Sequence, residues 1–288
     1  MAKEELKFFE GETFRPYIVH YNLVYQYSDV IEKAFADEGK SIVVIFPSQK
    51  PMLIWTRSGL ALKKKEEYFE EIMTISETFS LNLERISGKK EDVEIFSRLH
   101  EEIYNSEYKI EEELISYFCQ KIMIPLKKGR LIKAGKEHTE ILAKFINKFE
   151  LELFNEHQTV EDSMRKSELL VQVGQSYLWK DGESITGMGL ISGRSEHVGR
   201  VNYIYVDEKF RNKGYAGMIV ASVCEILQAQ NRLPVLYAAK KDIFANRLYK
   251  KIGFEADDEI CFAKNLYSRI HFEPICWDNR KYALIKGI

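Results

Sequence analysis

The run YIYVDEKFRNKGYAGMIVASVCEIL, residues 203–227, constrains the fold more than any other stretch of the 288-residue chain. Its left end is β-branched and aromatic, and its right end is helical. The helix, GYAGMIVASVCEILQAQ, carries Glu225 as its one charged residue. A helix without a polar face is buried on most sides. The apolar run Leu233-Pro-Val-Leu-Tyr-Ala-Ala follows at the distance of a next strand, so strand, helix and strand make an α/β unit. A strand that turns tightly into a helix exposes the first-turn N–H groups, and those groups with the positive end of the macrodipole hold phosphate. Gly214 removes side-chain bulk at that turn, Ala216 keeps the second approach narrow, and Arg211 and Lys213 add positive charge. Several successive N–H groups suit a diphosphate better than a single carboxylate. The turn matches neither the GxxxxGK[ST] phosphate loop nor the three-glycine dinucleotide pattern. Taken alone, a packing or C-cap glycine is the competing reading of Gly214.

The surrounding order extends the unit. RLIKA, from Arg130, predicts a strand. EHTEILAKFINKFELELF predicts an amphipathic helix whose face carries Ile141, Leu142, Phe145, Ile146 and Phe149, continued by Leu153. VEDSMRKSELLVQ predicts a second helix. SYLWKDGESITGMGLISG predicts two strands around Asp181-Gly182, a strong hairpin dipeptide. After a turn at Ser195 to Gly199, GRVNYIYV is the strand that enters the opening run. DIFANRLYKKI predicts a helix with Asp242 as N-cap and Gly253 past its end. The sheet is therefore mixed, with antiparallel strands followed by strand–helix–strand–helix.

A length of 288 residues fits two domains. The boundary is placed near Lys127-Lys128-Gly129, giving domains of 1–128 and 129–288. In the first, YNLVYQYSDVIEKAFADEGK has Leu23, Tyr27, Val30, Ile31 and Ala34 at helical spacing. SIVVIFP and PMLIWTR read as a hairpin across Ser48-Gln49-Lys50. KKKEEYFEEIMTISETF and VEIFSRLHEEIYN read as helices on either side of the short strand in LERISGKKED. The charge runs at Lys63 to Glu67 and Glu111 to Glu113 read as solvated helix faces. No catalytic constellation is visible in this half.

Forty-two Lys and Arg against forty-four Asp and Glu leave a net charge of −2, which argues against a bulk nucleic-acid binder. Cys119, Cys224, Cys261 and Cys276 lack CxxC spacing and a His at metal-ligand distance, so they read as reduced thiols and no metal is expected. MAKEELKFFEGE has no apolar core for a signal peptide, and no run approaches the ~20 apolar residues that cross a bilayer. A cytoplasmic protein with no membrane association is the expectation.

Arg211-x-x-Gly214-x-Ala216 has the spacing of the (Gln/Arg)-x-x-Gly-x-(Gly/Ala) loop of the GNAT N-acetyltransferase superfamily, and the chain resembles that family over roughly Arg130 to Phe254. VNYIYVDEKFRNKGYA is similar to its central strand, loop and helix. NRLYKKIGFE, Asn246 to Glu255, is similar to its later helix, which ends Leu-Tyr-x-x-x-Gly-Phe. The resemblance implies an α/β (α+β) fold with a mixed, mostly antiparallel sheet flanked by helices. It implies acetyl-CoA as cosubstrate, with its pyrophosphate on the amides of Arg211, Asn212, Lys213, Gly214, Tyr215 and Ala216. The splayed central strand, Tyr203, Ile204, Tyr205 and Val206, would bind the pantetheine arm and the acetyl carbonyl. Asn246 and Tyr249 occupy positions that family members use at the cofactor thiol.

The implied chemistry is direct attack of a primary amine on the thioester. A strand N–H stabilises the oxyanion, and a tyrosine, Tyr249, protonates the leaving thiolate as general acid. For the base, Glu196 and His197 in the turn before the central strand, Glu150 and Glu152 at the end of the first long helix, and water all stand as candidates. FANRLYKKIGFEA, from Phe244, is echoed by FAKNLYSRIHFEP, from Phe262, which makes Tyr267 a rival to Tyr249. The second copy has His271 in place of the glycine, yet its continuation FEPICWDNRKYALI is similar to the family's closing strands.

The hairpin of the first half, the helix after it and ISGKKEDVEIF are similar to bacterial acetyltransferases that carry two GNAT-like halves in tandem, the first degenerate. Residues 1–128 are accordingly read as a degenerate GNAT-like or simple α/β domain that shapes the substrate cleft. The expected activity is an acetyl-CoA-dependent N-acetyltransferase acting on a small-molecule or peptide amine. The alternative is a CoA-binding sensor or partner module without transfer activity, and transfer of a larger acyl group stands as a third reading. The acceptor is not legible in the residues, nor is the choice between monomer and homodimer.

Overall fold

A computed structural model describes Phe9 and residues 11–123, 128–154, 158–193 and 195–266. The chain divides into two compact units. One comprises Met1–Ser116, Tyr237–Lys241 and Asp257–Ile288, and the other Tyr117–Leu236 and Asp242–Ala256.

In the first unit a short helix α1 (Leu23–Tyr27) leads through a 3-10 turn into strand β1 (Ile31–Ala36). The hairpin expected from SIVVIFP and PMLIWTR is present as β2 (Ile42–Pro47) and β3 (Met52–Thr56), paired antiparallel with Ile42 opposite Thr56. Helix α2 (Leu62–Thr78), strand β4 (Arg85–Lys89), helix α3 (Lys90–Tyr104) and strand β5 (Tyr108–Phe118) follow, and β11 (Glu255–Asn265) returns to this sheet. The strand order is β1-β2-β3-β4-β11-β5. β2 and β3 are buried along their whole length, as continuous apolar runs require. Their residues Ile42, Val44 and Ile54 pack with Phe69 and Ile72 of α2 and Phe96 and Leu99 of α3.

Three readings need correction in this unit. Residues 21–40 are not one helix: the helical spacing of Leu23 and Tyr27 holds only to the 3-10 turn, and Ile31–Ala36 pairs with β2 as a sheet edge. Glu111 to Glu113 lie on strand β5, not on a helix face. Glu113 is held there by Lys90, 2.9 Å away, and its carbonyl accepts from the Lys240 N–H at 2.9 Å. The echo starting at Phe262 does not form a helix at its start, because Phe262 to Asn265 belong to β11, with Phe262 opposite Ser87. Tyr267 and the rest of that second copy lie outside the described residues, as does Cys276.

In the second unit the order is β6 (Arg130–Lys133), α4 (Thr139–Phe154), α5 (Val160–Val173), β7 (Ser176–Asp181), β8 (Ser184–Ser192), β9 (Val198–Val206), α6 (Tyr215–Ala229), β10 (Leu233–Ala239) and α7 (Ile243–Lys251). The sheet runs β10-β9-β8-β7-β6. β9 and β10 are parallel, and the other pairs are antiparallel. The two-residue period of β8 sorts its side chains between two layers. Met188 and Leu190 join Leu142, Phe145 and Ile146 of α4, with Tyr205 of β9, in one core. Leu142, Phe145 and Ile146 are at most 1% exposed, and burying each contributes about 2–3 kcal/mol. Gly189 faces α6 instead: a Cβ there would lie 2.7 Å from Cγ2 of Ile219, so only glycine lets the helix lie this close. The near absence of charge on α6 follows, since Ile219, Val220, Val223, Cys224 and Leu227 are fully buried.

Cys119, Cys224 and Cys261 are buried free thiols. Among the described residues, no helix is long and apolar enough to cross a membrane.

Candidate functional site

The centre of β9 is irregular. Tyr205 faces Met188 and Asn202 faces Leu190, so Gly189 alone stands opposite both Tyr203 and Ile204. This is a β-bulge, and Tyr203 within it takes a positive φ of +50°. A tyrosine in this conformation is strained by about 1–3 kcal/mol, and such strain concentrates at functional sites. The Asn202 side chain supports it locally, its Oδ1 accepting from the Tyr203 N–H at 2.9 Å. On the other edge, β9 pairs with β10 only from Val198 to Arg200, opposite Leu233 to Val235. Past Arg200 the two strands are no longer partnered, so the bulge sits where β9 has left its parallel neighbour.

β9 runs into the basic loop. Asp207 caps a 3-10 turn at Glu208–Phe210, accepting from the Lys209 N–H at 3.2 Å. Asn212 (φ 62°) and Gly214 (φ 81°) then take left-handed conformations, and α6 starts at Tyr215. Gly214 is the N-cap and offers no side chain to the first turn, which also carries no acidic residue. A Cβ on Gly214 would meet nothing nearer than Cε of Met218 at 3.9 Å, so the N-cap position itself is uncrowded. These residues fit a phosphate group: an uncrowded helix N-cap, with Arg211 and Lys213 beside it. Arg211 is engaged with a carboxylate, donating from Nη2 to both oxygens of Glu152 at 2.7 and 2.8 Å and from Nε to the Val206 carbonyl. Lys213 lies over the Phe210 ring at 5.5 Å. The Tyr215 hydroxyl is turned away from the loop, to Asp181 Oδ2 at 2.5 Å.

Asp242 caps α7 as expected, its Oδ1 accepting from the Ala245 N–H at 2.9 Å. Asn246 on the next turn donates to the Asp242 carbonyl and accepts from the Tyr117 hydroxyl at 2.8 Å. The Tyr249 ring stands 6.1 Å from Tyr117 and 5.8 Å from Phe254. Burial, then the negative charge of Asp242, raises the Tyr249 phenol well above its ordinary value. It is neutral, and therefore a donor, throughout the physiological range.

The remaining base candidates separate in space. Glu196 and His197 stand at the start of β9, in the turn held by the Ser195 hydroxyl. Five strand residues lie between His197 and the Tyr203 bulge, a separation of about 20 Å at the rise of a β-strand. They do not converge on it. Glu152 is taken up by Arg211. Glu150 is brought in: its Oε1 accepts from the Tyr203 hydroxyl at 2.7 Å. The Lys166 ammonium of α5 donates to the same oxygen and, at 2.7 Å, to the Tyr203 hydroxyl. Phe149 stacks on the Tyr203 ring at 4.7 Å. Lys166 and Tyr117 carry no local sequence signal. Each reads as an ordinary helix or strand residue until the tertiary fold sets it beside its partner.

The fold is that of the GNAT acetyltransferases. Residues 193–263 match the family model described as FR47-like protein. Similar solved structures include an acetyltransferase of the GNAT family from Colwellia psychrerythraea, with 11% identity, a TM-score of 0.59, 92% of this chain covered and 97% of that one. A Drosophila protein aligns with a TM-score of 0.63 at 11% identity, over 91% of this chain and 94% of its own. A GCN5-related N-acetyltransferase from Kribbella flavida aligns with a TM-score of 0.57 at 10% identity, over 89% and 97%. No curated protein matches the sequence.

Proposed function

We propose that the chain is an acetyl-CoA-dependent N-acetyltransferase that acetylates a primary amine of a small molecule or peptide by direct attack. The observation that carries this reading is the bulge at Tyr203, set where β9 parts from β10 and followed directly by the Gly214-capped start of α6. The amides from Arg211 to Ala216 would hold the pyrophosphate of acetyl-CoA, and the backbone of Tyr203 to Val206 the pantetheine arm. A strand N–H beside the bulge, preorganised by the local strain, would take the oxyanion charge. Tyr249, kept neutral by burial, would donate to the departing sulfur, with Asn246 on the same helix face one turn earlier. Residues 129–288 would form the transferase domain and residues 1–128 an accessory domain. Two of the similar solved structures, a GNAT-family acetyltransferase and a GCN5-related N-acetyltransferase, support this reading.

The test is incubation with acetyl-CoA and a panel of amines while free thiol is followed. Amine-dependent thiol release supports transfer. One pair of observations favours a second reading, a CoA-binding module without turnover: Arg211 is bound by Glu152, and Asn246 by Tyr117 and Asp242. Saturable coenzyme binding with no thiol release across the panel would select that reading.

A further inference from the structure

We infer that the Tyr203 hydroxyl is the group that takes the proton from the incoming amine, with Glu150 behind it as the proton sink. This rests on the transferase reading above. The first observation is geometric. Tyr203 is the strained residue of the bulge, so its backbone lies where the acetyl carbonyl would sit, and its side chain is held toward α4 and α5. Its hydroxyl donates to Glu150 Oε1 at 2.7 Å and accepts from Lys166 Nζ at 2.7 Å. A phenol bonded this way is oriented by two charged partners and can pass its own proton to the carboxylate while accepting another.

The second observation is independent of the first. Glu150 is 3% exposed, and both of its partners meet it at Oε1. Its Oε2 is buried with no hydrogen-bond partner among the described residues. A buried carboxylate oxygen without a donor is costly, so Glu150 keeps unused acceptor capacity beside the Tyr203 hydroxyl. Glu150 from α4 and Lys166 from α5 are the charged groups that face the hydroxyl. Lys166, with its side chain 35% exposed, marks the solvent side of the cluster. Glu150 itself is shielded and reaches substrate only through Tyr203. Tyr203 is thus the catalytic residue, and Glu150 a positioning residue that sets its proton affinity.

The step balances without an added reagent. The substrate ammonium gives one proton to the Tyr203 oxygen, directly or through one water, as the Tyr203 proton moves to Glu150. The free amine forms the C–N bond and the thioester C–S bond breaks. As the amide forms, the second nitrogen proton passes to water while the Tyr249 hydroxyl protonates the thiolate; Tyr249 regains a proton from that water, and Glu150 returns its proton through Tyr203 to solvent, so one net proton is released. The chemical class recognised is therefore a primary amine that arrives as an ammonium ion. An acceptor that is already neutral at working pH would bypass the relay.

The experiment is steady-state kinetics of wild type, Tyr203→Phe, Glu150→Gln and Glu150→Asp across pH 5.5–9.5, with acetyl-CoA affinity measured by calorimetry on each. Tyr203→Phe and Glu150→Gln are expected to lower kcat/KM for the amine by roughly 10²-fold. They are also expected to shift the acid-side limb of the wild-type pH profile upward, to the ionisation of the amine itself. Acetyl-CoA affinity should stay within about twofold, which also certifies the fold. Glu150→Asp should recover part of the rate, and the loss should shrink at high pH, where the amine is already neutral. If Glu150→Gln does not fold, Tyr203→Phe decides alone, since it removes a single oxygen. Wild-type turnover with both variants within about threefold and an unchanged pH profile would overturn the inference and leave the transferase reading standing. A wild type that binds acetyl-CoA but turns over no amine overturns both.

Discussion

Nη2 of Arg211 holds both carboxylate oxygens of Glu152, at 2.7 and 2.8 Å, and so takes up a donor that it would offer a phosphate. Glu152 therefore stands as an internal competitor for the basic residue of the loop. Both side chains are near half-exposed, so the pair itself contributes little, at most about 1 kcal/mol. Glu152→Gln should release Arg211 and tighten coenzyme A binding by up to about fivefold. Arg211→Ala should weaken it. Calorimetric titration of both variants measures the two effects, and tighter binding by Arg211→Ala would show that the guanidinium does not meet phosphate.

Gly214 separates backbone strain from crowding. Its φ of 81° disfavours any side chain, yet a Cβ would meet nothing closer than 3.9 Å. Gly214→Ala should cost about 1 kcal/mol of stability from conformation alone, read by urea denaturation, while leaving coenzyme binding measurable. A loss of several kcal/mol would mean that the loop is more tightly packed than this geometry allows.

Tyr249→Phe tests the thiol end of the site. Burial keeps this phenol protonated, so wild-type turnover should show no loss of a tyrosine proton below pH 10. The variant should lose roughly 10²-fold in kcat with acetyl-CoA affinity unchanged. A kcat equal to wild type would move the donor elsewhere, and Tyr267→Phe is then the variant to measure.

His100, far from this chemistry in sequence, should contribute to the pH dependence of stability in the first unit. It is buried between Phe96, Tyr104 and Tyr108, bonded to the Ser106 hydroxyl, and burial lowers it from 6.5 to about 4. A histidine held neutral in the fold contributes fully above the unfolded value. The contribution is lost as pH falls from 6.5 toward 4, because the unfolded chain takes up the proton first. The loss is at most about 3 kcal/mol, less after solvent screening. Denaturation midpoints should fall over that window in wild type and fall less in His100→Gln. Parallel slopes would place the linkage on other groups.

The parts of this fold that were legible in the sequence are those with one dominant local signal. The β2–β3 hairpin declared itself by two β-branched runs around a polar turn, and α4 by the spacing of Leu142, Phe145 and Ile146. α6 did so by its lack of charge. β1 was hidden because Val30, Ile31 and Ala34 also fit a helical stripe, and an edge strand needs only Phe35 buried. β5 was hidden because three glutamates in a row suit a solvated helix. Its strand state depends on β11, Lys90 and Lys240, which no local window contains. The same limit applies to the site. The loop was readable because its chemistry lies in consecutive backbone groups. The Glu150–Lys166–Tyr203 cluster was not, since its three members come from two helices and a strand and meet only through the bulge.

Titration of the chain with acetyl-CoA, beside Gly214→Glu, tests the central assignment most directly. The wild type should bind at a single saturable site, and the variant, which puts bulk and negative charge over the first-turn amides of α6, should show no binding at the same concentrations. Equal affinity in the two proteins, or no heat from the wild type, would contradict the placement of the diphosphate on this loop.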